Sequence, residues 1–301
     1  MMKNVRKREL VLFLGPALFF YCVFFVYPMV ETIKLSFYET SNNGIQNFVG
    51  LKNFDTLIND PFFNESFFNA LWNNLIFFLF HMFLQNPIGI LLALLLVNLS
   101  FKSATFYRTA VMLPTMLSFV IVGFIWQLIL SPTWGITGIL YEVFGAGNAP
   151  ALLGEENSAL ITLSLVSVWQ FIGIPVLLIY ASLISIDKDI LEAVKLEKVS
   201  FFKAFFHVHL PMIWPTIALV SILTYVNNFN AFDLVYTVKG ALAGPNFSTD
   251  LLGTLFYRTF FGFQLQSGNI NLGATVATFM FLIILIGVSI YLFFVQRRIL
   301  R

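Results

Sequence analysis

Apolar residues run along this chain in six long stretches separated by shorter polar ones: about Leu10 to Ile33, Asn74 to Leu99, Thr105 to Leu130, Ala159 to Ile186, Pro211 to Val235, and Leu272 to Val295. Each is long enough to cross a bilayer as a helix, which takes about 20 apolar residues. None shows the in-out alternation of a barrel strand, and in lipid a helix satisfies its own backbone unaided. The pattern therefore predicts an all-α polytopic membrane protein of about six transmembrane helices, with residues 1–301 forming a single transmembrane domain. The intervening segments 35–70, 131–158 and 236–271 carry Gly, Pro, Asn and Ser and predict short helices or turns. Pro16, Pro87, Pro114 and Pro175 fall within spans or at their edges, either as tolerated kinks or as hinges.

Composition agrees with that reading. Of the 301 residues, 58% are hydrophobic and 11% charged, against roughly 25% charged in a soluble domain. Lys and Arg are distributed unevenly. With the N-terminus placed inside, all but Lys34, Lys52, Lys239 and Arg258 fall in the inner segments 1–9, 100–108, 187–210 and 296–301. This bias puts both termini in the cytoplasm of a multi-pass protein of the cell membrane. Lys3, Arg6, Lys7 and Arg8 precede the first apolar run, which continues without a small-residue cleavage site and is read as a retained helix. A net charge of only +2 gives no reason to expect nucleic acid as a partner, and Cys22, the only cysteine, excludes an intrachain disulfide. No catalytic or metal-ligating constellation stands out. His81 is alone in a span, while His207 and His209 lack paired ligands.

Polar residues inside a membrane are costly and tend to face a cavity or another helix. Asn74, Gln85 and Asn86 lie in the second run. Gln127 stands beside Trp126 in the third run and Gln170 beside Trp169 in the fourth, and Tyr225, Asn227, Asn228, Asn230 and Asp233 cluster in the fifth. Aromatic rings beside amides suit a neutral sugar, whose C–H face a ring covers while amides bond its hydroxyls. The same amides serve equally as interhelical glue. Trp126, Gln127, Trp169, Gln170 and the cluster from Tyr225 to Asp233 are the candidate translocation path.

The segment between the fourth and fifth runs, Asp187 to Pro211, reads as two short helices. Asp187 or Asp189 can cap the first, and Lys195 and Lys198 near its end suit the helix dipole. Ser200 can cap the second, Phe201, Phe202, Phe205 and Phe206 give it an aromatic stripe, and Pro211 closes it. By composition alone, such a stripe could rest among lipid headgroups. Its spacing also resembles the EAA loop of binding-protein-dependent ABC importer permeases, E-A-A-x-x-D-G-A followed by five variable residues and F-x-x-I-x-L-P. Glu192 and Ala193 match the opening, Glu197 stands at the aspartate, Phe205 matches the phenylalanine, and Val208, Leu210 and Pro211 match the end. Val194 and Val199 replace alanines, and Lys198 replaces a glycine at the junction of the two helices, which puts the angle between them in question. Val168 to Gly173, Gly244 to Thr249, Tyr257 to Phe260, Phe48 to Phe54, and Leu113-Pro114 also resemble sugar permeases, in family order.

The resemblance implies one of two homologous permease subunits, an ATPase subunit dimer docked beneath them and an extracellular solute-binding protein above. It makes 187–211 the coupling loop, with Glu192, Ala193, Glu197, Lys198, Ser200, Phe201, Phe205, Leu210 and Pro211 meeting the ATPase. The chain has no Gly-rich phosphate loop of its own, so ATP and magnesium belong to that partner and this chain carries no cofactor. The solute implied is an oligosaccharide, with glycerol phosphate or another polyol as the alternative. A secondary carrier would need a coupling-ion site and often inverted repeats, and a membrane-embedded enzyme would need convergent titratable groups. Neither pattern is visible in the sequence.

Overall fold

The structure, a computed structural model, describes residues 7–299 apart from Asn42, Ala146 and Leu265. Lys3, Arg6 and Arg301, expected on the cytoplasmic side, lie outside the described residues. Among the described residues four helices are long and apolar enough to span a membrane: Leu12–Leu35, Pro61–Val97, Phe201–Lys239 and Ile270–Phe293. Two bent pairs, Phe101–Met116 with Phe119–Ile129 and Glu156–Phe171 with Gly173–Ile184, bring the number to six when each counts as one span. These six follow the order of the apolar runs.

Four spans depart from the expectation: the second begins at Pro61 instead of Asn74, the fourth is bent by 41° between Phe171 and Gly173, and the third and fifth differ more. The third is not one straight helix from Thr105 to Leu130, because its halves meet at 97°. Pro114 sits in a tight 3-10 turn, Leu113–Met116, and Leu117 is extended. Ser118 then starts a new helix by accepting the Ile121 N–H on its hydroxyl at 3.3 Å. The fifth does not begin at Pro211. Phe201–Ala204, a wide turn Phe205–His209 and Leu210–Phe229 run on without interruption, so Pro211 lies inside the helix instead of closing it.

The reason Pro211 is tolerated recurs elsewhere. Three five-residue π-turns, Cys22–Val26, His81–Gln85 and Phe205–His209, are each followed at the same offset by a proline: Pro28, Pro87 and Pro211. In an α-helix a proline removes one N–H and drives its ring against the carbonyl four residues back. The wide turn replaces that geometry with bonds reaching five back, from Tyr27 N–H to the Cys22 carbonyl, Asn86 to His81, and Leu210 to Phe205.

The chain divides into two compact units. In the first, Met1–Glu65 with Phe256–Phe281, polar side chains join the hairpin Tyr38–Thr40/Gln46–Phe48 to its neighbours. Asn53 donates to the Ser36 and Tyr38 carbonyls at 2.9 and 2.8 Å. Asn271 donates to Leu35 and accepts from the Thr40 N–H. Phe54 sits between the rings of Phe37 and Phe279. The Lys52–Glu39 ion pair is exposed and contributes little.

The second unit, Ser66–Leu255 with Leu282–Arg301, holds the main core. Ala93, Leu94, Val176, Ile179, Leu183, Ile213 and Val220 form one buried cluster from the second, fourth and fifth spans. Gly89 sets how closely two of these helices approach, since a Cβ there would lie 2.9 Å from the rigid ring of Pro175. Gly89→Ala is therefore expected to destabilise the bundle by about 1–3 kcal/mol, the usual cost of overpacking. The measurement is the thermal midpoint of the purified protein in detergent, and an unchanged midpoint would refute it.

Candidate functional site

Two places concentrate functional side chains. The first is the segment 187–211. The Asp187 carboxylate accepts the Asp189 N–H at 3.0 Å and opens the helix Lys188–Leu196. Just beyond its end stands Lys198, whose φ of 52° is left-handed, the conformation a glycine adopts freely and an L-residue holds at a cost of about 1–2 kcal/mol. The reversal between the two helices is thus kept despite the lysine. Ser200 occupies the N-cap position of the next helix, but its side chain makes no capping bond. Lys198→Gly is expected to relieve local strain and slow amide exchange across 188–200. Faster exchange there would show that the added chain freedom outweighs the relief.

The aromatic stripe divides. Phe205, like Leu191, packs on the core cluster, whereas Phe201, Phe202 and Phe206 are 56%, 72% and 57% exposed. Phe201 and Phe202 meet edge to face, as do Phe205 and Phe206. Glu192, Ala193, Glu197 and Lys198 are exposed, while Leu210 and Pro211 belong to the continuous helix above. The loop therefore offers an outward face of three rings and a carboxylate, with Leu191 and Phe205 anchoring its other side to the bundle.

The second place is a cavity of about 330 Å³ within the second unit. Of the path candidates, Asn227, Asn228, Asn230 and Asp233 line it. The others do not, and several are engaged as glue. Gln127 donates to the Val238 carbonyl at 3.0 Å, Gln170 to Leu117 at 3.3 Å, and the Tyr225 hydroxyl to Ile283 at 2.6 Å. Trp126 and Trp169 pack edge to face with centroids 5.4 Å apart. Asn74 is structural too, donating to the Asn228 carbonyl and accepting the Leu252 N–H, both at 2.8 Å.

The cavity adds residues outside the candidate path: His81, Gln85, Ser167 and Thr224, with Phe77, Phe119 and Phe171 as aromatic wall. His81 is isolated in sequence, and its partner Ser167, at 2.9 Å, is 86 positions away. A one-dimensional reading has no means of joining them. Gln85 did carry a signal, as an amide in an apolar run. Both His81 and Gln85 sit on the π-turn of the second span, at its two ends. Gln85 Oε1 and Asn228 Oδ1 are buried without a hydrogen-bond partner. Among the described residues no Lys or Arg lines the cavity, and Asp233 is its one carboxylate. Among the described residues no group of three or more His, Cys, Asp or Glu converges to hold a metal.

Comparison with known proteins adds an independent line. Residues 85–301 match the model of the family described as binding-protein-dependent transport system inner membrane component. The probable ABC transporter permease protein YurN of Bacillus subtilis (strain 168) is 30% identical over 86% of this chain and 88% of its own length. The arabinooligosaccharides transport system permease protein AraP of the same organism is 26% identical over 93% of this chain and 86% of its own. A crystal structure of a bacterial alginate ABC transporter, in complex with an alginate pentasaccharide-bound periplasmic protein, contains a chain of the same fold. It superposes with a TM-score of 0.79 at 22% identity, covering 97% of this chain and 96% of that one.

Proposed function

The chain belongs to the binding-protein-dependent transport system inner membrane components, and on that premise we propose that it is the membrane-spanning permease subunit of an ATP-driven importer of a sugar, specifically an oligosaccharide. The observation that carries this reading is the family match together with six apolar spans and a cytoplasmic-type loop whose anchored helices present Phe201, Phe202, Phe206 and Glu192 outward. The names of relatives support the solute: AraP is named for arabinooligosaccharides and LacF of Rhizobium radiobacter for lactose.

In this reading both termini and the loop face the cytoplasm, following the Lys and Arg bias. An ATPase dimer, which binds ATP and magnesium, seats the loop, and closure of its nucleotide sites tilts the helices above through Leu191 and Phe205. A second homologous permease completes the membrane part. The first span supports such a partner, because its described side chains from Leu12 to Leu35 include none that is buried. An extracellular solute-binding protein delivers the sugar, in line with the periplasmic protein seen bound to the alginate transporter.

Purification of the chain with its membrane partners, followed by reconstitution in liposomes, tests the proposal. The expected result is an ATPase that co-purifies and sugar uptake that stops when ATP or the binding protein is withheld. Uptake by the chain alone, driven by an ion gradient, would replace the importer with a carrier.

A further inference from the structure

The cavity wall has a polarity that the importer reading does not require. His81 Nδ1 lies 2.8 Å from the Phe77 carbonyl, which can only accept, so Nδ1 carries a proton. In the neutral ring Nε2 is then bare, and it accepts the Ser167 hydroxyl hydrogen at 2.9 Å. With its donor committed, Ser167 offers any ligand lone pairs only. Asn228 adds an acceptor as well: one of its two amide hydrogens goes to the Thr224 carbonyl at 2.7 Å, and Oδ1 is buried without a partner. Gln85 adds a second unpartnered oxygen, and Asp233 adds a carboxylate. Gln85 and Asn228 are 5% and 4% exposed, so each oxygen needs a partner.

We infer that Gln85, Ser167 and Asn228 read the hydroxyl groups of a neutral saccharide, with His81 as the positioning residue that holds Ser167 in the accepting role, and that this wall rejects uronates. The inference rests on the cavity being part of the sugar's path. Hydroxyls donate into each of these oxygens. A uronate would bring a negative charge toward Asp233, and among the described residues no Lys or Arg lines the cavity to receive it. The alginate transporter shares the fold and imports an acidic polysaccharide, so the fold alone does not decide this preference. Phe77, Phe119 and Phe171 supply apolar wall for the sugar's C–H faces. The volume, at the small end of ligand pockets, suits a short piece of a saccharide.

The test measures equilibrium binding to the intact importer complex in nanodiscs, without its binding protein. The radiolabelled probes are maltotriose, raffinose and arabinotriose as neutral sugars and trigalacturonate as the acidic one. At least one neutral trisaccharide should bind about tenfold or more tightly than trigalacturonate. Gln85→Leu and Ser167→Ala should each weaken it about tenfold, while Ser167→Thr, which keeps the hydroxyl, should stay within about threefold. Co-elution of each variant with the ATPase shows that it has folded. Equal or tighter binding of trigalacturonate, wild-type affinity in both weakened variants, or no binding of any neutral probe would overturn the inference. Failure of the importer reading shows elsewhere, in wild-type complex that does not take up sugar with ATP.

Discussion

Replacing Phe202 and Phe206 together by alanine is expected to strip the ATPase from the purified complex and abolish ATP-driven uptake, with the membrane bundle's thermal midpoint unchanged. Both rings are largely exposed, so their loss leaves little cavity behind. A docking surface, in contrast, concentrates its energy in a few aromatic anchors, each contributing about 2 kcal/mol or more. Phe205→Ala should do the reverse. That ring packs on the cluster of Val176, Ile179 and Ile213, and its removal should cost about 2–4 kcal/mol of stability. ATPase retention on an affinity column and calorimetry of the same preparations separate the two effects. Normal co-purification of the Phe202/Phe206 variant would remove these rings from the interface.

The second large effect is expected at Asn74. It is fully buried, and its side chain serves two backbone groups, the Asn228 carbonyl and the Leu252 N–H. Asn74→Ala leaves both unpaired at about 1–3 kcal/mol each, so a loss of about 2–4 kcal/mol is expected, with the loop before Leu252 loosened first. Asn228→Ala removes an oxygen that no protein group uses and a bond back to Thr224 within its own helix. It should weaken sugar uptake more than it lowers stability. Chemical denaturation of both variants, read beside uptake, would refute the distinction if their losses of stability were equal.

These contrasts mark the boundary of what the sequence conveys. Span number and order are legible because lipid leaves a chain few options and apolar length reports them directly. The loop's motif was legible as spacing, but spacing does not say that Phe205 turns toward the bundle while Phe206 turns away. Four of the path candidates, Asn227, Asn228, Asn230 and Asp233, do share one cavity. Gln127, Gln170 and Tyr225 looked equivalent to them in sequence and bond backbone carbonyls instead. An amide in an apolar run states that a partner exists, without saying whether the partner is a helix or a solute. His81 could not be paired from sequence because its partner lies on another span. The break in the third span was written more openly, in Leu113-Pro114 and Ser118, yet an unbroken apolar run concealed it.

The wide turns before Pro28, Pro87 and Pro211 also act as phase shifters. Each holds one residue more than a plain helix would use, and one residue corresponds to about 100° of rotation and 1.5 Å of rise. The face that a span shows before the turn is therefore not the face that a 3.6-residue ruler projects beyond it. In the second span this offset carries Gly89 and Ala93 to the packing seam while His81 and Gln85 stay on the chamber. Deleting a single residue between 81 and 85 would leave the composition almost untouched and swing that lower half by more than a quarter turn. The helix would keep its length and lose its address.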